Sequence, residues 1–155
     1  MSTTFQVSRT RLGWYGDLPG TSDVWLAILL QNTGLEADGV LADYASVSTL
    51  LAGASDEATF TNYARKQISS LTPSSDNTNN RNLVDTPDLT WTLAGGTTNN
   101  TLGKFLLAYD PAPGTSTDVD RVPLLAFNIF AITDGNDLTV RIHADGLVRV
   151  YTPGV

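Results

Sequence analysis

Apolar residues in this chain gather in short runs divided by turn-forming tracts, and only one stretch keeps a helical spacing. "DVWLAILLQN" (Asp23 to Asn32) is continuously apolar in its middle; its Leu and Ala favour a short helix, but its length and apolar continuity fit a core strand, which is the reading adopted. "DLTWTL" (Asp88 to Leu93) alternates, with Leu89, Trp91 and Leu93 on one face and Thr90 and Thr92 on the other, as a half-buried strand does. "LGKFLLAYD" (Leu102 to Asp110) and "RVPLLAFNIFAIT" (Arg121 to Thr133) are the two most apolar strands. Pro123 lacks an N–H, which places it at the start of its strand or on an edge. "RNLVD" (Arg81 to Asp85) adds a short strand, and "ATFTNYARKQI" (Ala58 to Ile68) has strand composition. "DLTVRIHA", Asp145-Gly146 and "LVRVYT" together predict a C-terminal hairpin, because Asp and Gly tolerate positive φ in the turn. The helical spacing belongs to "DYASVSTLLAG" (Asp43 to Gly53). Tyr44, Val47, Leu50 and Leu51 share a face, Asp43 is the expected N-cap, and Gly53 can close the helix in the left-handed region.

The remaining tracts read as connections. "SSLTPSSDNTNN" (Ser69 to Asn80) and "PAPGTSTDVD" (Pro111 to Asp120) are loops by composition. "AGGTTNN" (Ala94 to Asn100) would join Leu89–Leu93 to Leu102–Asp110 as neighbouring strands. Strands this short and frequent predict a mainly β fold, a β-sandwich or jelly-roll-like domain with one short helix. Residues 1–22 are polar, with Gly13, Gly16, Pro19 and Gly20, and predict an extended N-terminal arm carrying a short strand at Thr4–Ser8. The β-rich domain then covers residues 23–155. Trp14 and Tyr15 need a surface to pack on, their own domain or a neighbouring subunit, which makes them the candidate partner contacts.

Composition narrows this picture. A chain of 155 residues is long enough for one domain with a core of its own. Charged residues make up 16%, against about 25% in an average soluble domain. Thr, Ser, Asn and Gly fill the gap, as suits sheets and turns. The absence of cysteine excludes disulfides, Cys-based zinc sites and thiol catalysis. A formal charge of −7 repels nucleic acid and anionic membranes, so neither is an expected partner. The first residues lack a signal-peptide core, and "VWLAILL" is too short to span a bilayer. The chain reads as a soluble protein made in a cytoplasm.

Candidate chemistry is sparse. His143 is the lone histidine, with Arg141 and Asp145 two residues away on the same face of a predicted strand. No serine stands in a G-x-S-x-G context, so a solvated or pairing histidine is expected there. "TDGND" (Thr133 to Asp137) resembles part of a calcium loop but lacks the ligand spacing and terminal Glu, and reads as a turn. "AGGTTNN" is no phosphate cradle, since Gly103-Lys104 is followed by Phe105 rather than by Ser or Thr. Trp25 and Trp91 lie in apolar strands and are expected in the core. No catalytic, metal or cofactor site emerges, and the chain is not expected to be an enzyme.

Five stretches taken in order carry a resemblance: "DEATFTNYARK" (Asp56 to Lys66), "DLTWT" (Asp88 to Thr92), "NNTLGKFLLAYD" (Asn99 to Asp110), "VPLLAFNIF" (Val122 to Phe130) and "TDGNDLTVRIHADGLVRV" (Thr133 to Val150). Over roughly residues 40–150 they resemble small virion structural proteins of tailed bacteriophages, either capsid decoration (cement) proteins or minor head or tail components. The resemblance implies a non-enzymatic decoration protein that binds and stabilises the assembled shell. Its partner would be the major capsid protein, its place the capsid exterior, and its state a homo-oligomer, commonly a trimer. A minor tail or fibre-associated protein, and a carbohydrate-binding module using Trp14 and Tyr15, are the competing readings. A small hydrolase ranks behind these.

Overall fold

The computed structural model describes residues 2–9, 11–76, 81–143 and 146–151. Among these residues ten strands alternate with a few single-turn helices. β1 is Ser2–Thr4, β2 Val24–Gln31, β3 Lys66–Ile68, β4 Thr72–Asp76, β5 Arg81–Asp85, β6 Leu89–Trp91, β7 Thr101–Asp110, β8 Val122–Ile132, β9 Leu138–Val140 and β10 Val148–Tyr151. The helices are α1 (Leu12–Gly16), α2 (Asp38–Leu41) and α3 (Val47–Leu51). The fold is mainly β, as the apolar runs predict.

A five-stranded antiparallel sheet, in the order β1-β8-β7-β2-β3, forms the centre. Both of its faces are covered, which explains why β2 and β7 read as unbroken apolar runs rather than alternating ones. On the outer face Leu26, Ile28 and Leu106 pack with Phe5, Leu41 and Leu50, from the N-terminal segment and from α2 and α3. On the inner face Trp25, Leu29 and Phe105 pack with Val84 and Trp91, carried by two smaller sheets, β10-β5-β4 and β6-β9. Trp25 and Trp91 are buried as expected, each with its indole N–H donating to a carbonyl, that of Tyr15 at 2.9 Å and that of Ala64 at 2.8 Å. Burying each such apolar side chain contributes about 1.5–3 kcal/mol. Pro123 lies at the beginning of β8, where its missing N–H costs no long stretch of ladder.

Several local expectations are corrected. The predicted C-terminal hairpin does not form. Gly146 N–H does donate to His143 O at 2.8 Å, closing a turn, but β9 pairs with β6 and β10 pairs with β5. Asp145 of that turn lies outside the described residues. Leu89–Leu93 and Leu102–Asp110 are not neighbours either: β6 joins β9, while β7 lies between β2 and β8. Leu93 leaves the alternation, with φ of 48° and 63% exposure. Only Lys66–Ile68 of the 58–68 stretch is strand. Thr72–Asp76, expected as loop, pairs along β5, and positions 77–80 of the same tract lie outside the described residues.

The predicted helix is shorter than its apolar spacing suggests and begins elsewhere. Ser46 is the N-cap of α3, accepting from Thr49 N–H at 3.2 Å while Thr49 Oγ1 accepts from Ser46 N–H at 3.2 Å. Asp43 instead accepts from the Gln6 side-chain amide. Gly53 is not left-handed. It is required because a Cβ there would collide with the Tyr44 hydroxyl, which donates to Glu36 Oε1 at 2.9 Å.

The segment expected as an arm is laid onto the sheet. Residues 2–4 pair with Leu125–Phe127, Phe5 is fully buried, and a 3-10 turn at Gln6–Ser8 stands where the strand was extended by sequence. Ser8 fixes this turn, donating to Leu124 O at 2.9 Å.

Candidate functional site

Trp14 and Tyr15 are adjacent in α1, so their side chains leave the helix about 100° apart. Tyr15 points inward and is 7% exposed, whereas Trp14 stays 52% exposed. Tyr15 therefore offers almost no surface to a partner; it is the floor under Trp14. The two rings meet edge to face at 5.1 Å, and Tyr109 of β7 completes the set at 4.7 Å from Tyr15 and 6.3 Å from Trp14. Polar contacts fix this floor. Tyr109 OH donates to Asp23 Oδ2 at 2.8 Å, and that oxygen also accepts Gly20 N–H at 2.7 Å. Burial, together with Asp23, pushes the Tyr109 hydroxyl well above its ordinary pKa, so it stays a neutral donor. Gly16 lets α1 lie close, since a Cβ there would sit 3.0 Å from Val84. Trp14 is thus an exposed aromatic held on a rigid base, a typical anchor for a binding surface.

A second constellation joins charged side chains at the sheet margin. Arg65 clamps Glu57 through Nε at 2.8 Å and Nη2 at 2.6 Å, and reaches Asp118 through Nη1 at 2.5 Å. Arg121 bridges Asp118 at 2.7 Å and the fully buried Asp110 at 3.0 Å. Tyr63 adds a hydroxyl donor to Glu57 at 2.8 Å. Hydrogen bonds from Arg65 foremost, then Arg121, hold Asp118 at a pKa of about 2, and the bonds to Glu57 first and Asp118 second raise Arg65. The network ties loops 57–65 and 111–120 to the sheet through charge-assisted hydrogen bonds.

The remaining sequence candidates are placed apart. His143 is exposed beside Arg141, on the rim of an apolar groove of about 230 Å³ lined by Phe105, Phe127, Ile129, Val140 and Leu147. Neither residue is in a strand, so the predicted strand face that grouped them does not exist. "TDGND" is a turn. Asp134 accepts Asn136 N–H at 3.0 Å, and Asp137 accepts Leu93 N–H at 2.8 Å. Among the described residues no three His, Cys, Asp or Glu side chains come together as a metal site, and no helix is long and apolar enough to cross a membrane.

Sequence reasoning missed Lys104. It is 3% exposed inside β7, with its ammonium 2.5 Å from Asp38 Oδ1 and bonded to Asn128. That hydrogen bond lowers the pKa of Asp38. One lysine within an apolar run was the signal, and its partners lie 66 and 24 positions away. No protein-family model matches the chain, and neither a curated protein nor a solved structure matches it.

Proposed function

We propose that the chain is a non-enzymatic phage virion structural protein, a capsid decoration protein that docks on the assembled shell and stabilises it. The observation that carries this reading is Trp14, half exposed on a fixed floor of Tyr15 and Tyr109. An anchor ordered before binding loses little conformational entropy on docking. The order of sequence stretches that resemble phage structural proteins supports the class of partner, the major capsid protein. The fold reading that goes with it takes the two small sheets as the second layer of a β-sandwich or jelly-roll-like domain. A ligand that binds only assembled shells stabilises them by mass action.

The test is co-sedimentation with assembled shells and, separately, with unassembled capsid protein. Binding to shells alone is expected, with Trp14→Ala weakening it by about 2 kcal/mol, roughly thirtyfold. The melting temperature should remain within about 2 °C, because the indole is half exposed. Equal binding to both forms, or undiminished binding by the variant, refutes the reading. An exposed tryptophan on a tyrosine base also suits stacking on a sugar ring. Glycan binding that Trp14→Ala abolishes, without shell binding, would favour the carbohydrate-binding module. Immunogold label confined to one end of intact virions would favour the tail or fibre-associated reading.

A further inference from the structure

β7 carries a lysine inside its apolar run. Lys104 is 3% exposed and stands in register with Leu30 of β2 on one side and Asn128 of β8 on the other. Opposed residues of a ladder place their side chains on the same face. That face also carries Leu30, Leu106 and Ala126, all buried in the outer cluster. The Lys104 ammonium reaches two groups there, Asp38 Oδ1 at 2.5 Å and the side-chain amide oxygen of Asn128. Asp38, at the start of α2, balances the charge that burial makes costly. Asn128 adds something that charge balance does not need: a carbonyl carbon one bond from the oxygen that the lysine touches. A buried amine, an amide carbonyl and a carboxylate within reach of the same nitrogen are a nucleophile, its electrophile and a proton carrier.

We propose that Lys104 and Asn128 join in an intramolecular isopeptide bond, which the folded chain forms by itself with Asp38 carrying the protons. Asp38 first takes a proton from the Lys104 ammonium, leaving a neutral amine. The amine lone pair attacks Asn128 Cγ, and the carbonyl π pair moves onto Oδ1, which takes the proton from Asp38. Collapse restores the carbonyl and returns a proton to Asp38. The Nζ–Cγ bond stays and the Cγ–Nδ2 bond breaks. Nδ2 leaves as ammonia, taking with it the proton that Nζ gives up. The proton left on Asp38 follows, so that ammonium departs and Asp38 is a carboxylate again. One amide replaces another, so no oxidant or reductant is needed. The Lys104 bond holds Asp38 below the ordinary carboxylate range, so the resting pair is charged and attack draws on the minor neutral form. Such a step is slow, but each chain performs it once. Fixed geometry compensates, since well-oriented intramolecular reactions reach effective molarities of about 10⁵–10⁸ M. The Asp38 side chain is 38% exposed, which gives the ammonium a way out. The product would tie β7 to β8 at the centre of the main sheet. This inference does not rest on the shell-binding reading.

Peptide mapping by mass spectrometry tests it on the full chain, purified and incubated at neutral pH. An acylated Lys104 has lost the charge that trypsin recognises, so cutting after it should stop. The digest should contain one branched peptide in which residues 82–121 are joined to 122–141, lighter than its two parts by one ammonia. Lys104→Arg keeps the charge without an attacking amine and should give no branch. Asp38→Ala should slow branching at least about tenfold, with circular dichroism confirming the fold, because the lost carboxylate carries protons. The map of the parent chain decides by itself should either variant fail to fold. Any one of four results overturns the proposal: a digest of the parent without the branch, a loss of ammonia confined to 122–141 as a succinimide would give, a branch in Lys104→Arg, or undiminished branching in folded Asp38→Ala.

Discussion

Replacing Phe5 with alanine tests whether the first residues belong to the core. Phe5 is fully buried and packs in the cluster that contains Ile28, Leu41, Leu50 and Leu106. Its surroundings resist collapse. Phe5 N–H is bonded to Leu124 O at 3.2 Å, and Gln6 N–H to Ala42 O at 2.9 Å. A Phe→Ala change in such a site costs about 3–5 kcal/mol, lost contacts and residual cavity together. The total stability of a domain this size is about 5–15 kcal/mol. At this length 1 kcal/mol corresponds to about 2–4 °C, so the melting temperature should fall by about 6–20 °C. Circular dichroism melts and urea titrations give the answer. The urea midpoint should drop with an unchanged slope, since the surface exposed on unfolding is nearly the same. Val7→Ala, at a 39% exposed neighbour, should stay within about 0.5 kcal/mol. A Phe5→Ala melt within about 2 °C of the parent would refute the reasoning. So would an early separate phase that leaves the main transition in place, because residues 2–8 would then be a detachable arm.

Two further outcomes follow from side-chain geometry. Asp118 is held at about 2 by Arg65 and Arg121, below the ordinary aspartate value near 3.9. Its contribution is therefore complete above about pH 4 and disappears as pH falls toward 2. With solvent screening of this partly exposed group, it amounts to about 1 kcal/mol. Asp118→Asn should flatten the melting temperature against pH in that window, and an unchanged acid slope would mean that the network is not formed in solution. Gly53→Ala should cost about 1–3 kcal/mol, because the added methyl displaces the Tyr44 hydroxyl from Glu36. Adding Tyr44→Phe removes the obstructing oxygen and should recover part of that loss; strictly additive costs in a urea double-mutant cycle would contradict the contact.

Local sequence carried some elements and hid others for identifiable reasons. β2 and β7 were legible because both sheet faces are covered along them, and β8 because its residues are almost all apolar, although Phe130 and Ile132 stay exposed. Trp25 and Trp91 were placed in the core by the same runs. Asp145-Gly146 gave a turn signal without naming the strands on either side, and β9 and β10 take partners some fifty residues or more upstream. β4 was missed because "TPSSD" has no apolar alternation; its place in a sheet comes from β5. The start of α3 was misplaced because Asp43 and Ser46 are both good caps, and only Ser46 has Thr49 three residues later to complete the reciprocal pair. Trp14 and Tyr15 were indistinguishable by residue type, and α1 separates them by turning one inward. The long-range partners of Lys104 and Asp118 left no local trace at all.

The position of β1 governs the order in which this chain can fold. Its partner, Leu125–Phe127, lies near the other end of the sequence, and β2 likewise waits for β7. In the central sheet β7 and β8 pair as immediate neighbours in the chain, and β2 and β3 do so over only three residues. During synthesis the β2 strand therefore emerges long before the strand that shields it, and β1 has no ladder to join until β8 has left the ribosome. Such long-range pairing implies folding in milliseconds to seconds rather than microseconds. A nascent chain stopped before β8 would leave one edge of the apolar β7 strand unpaired and β1 without its partner, the kind of intermediate that aggregates unless it is chaperoned.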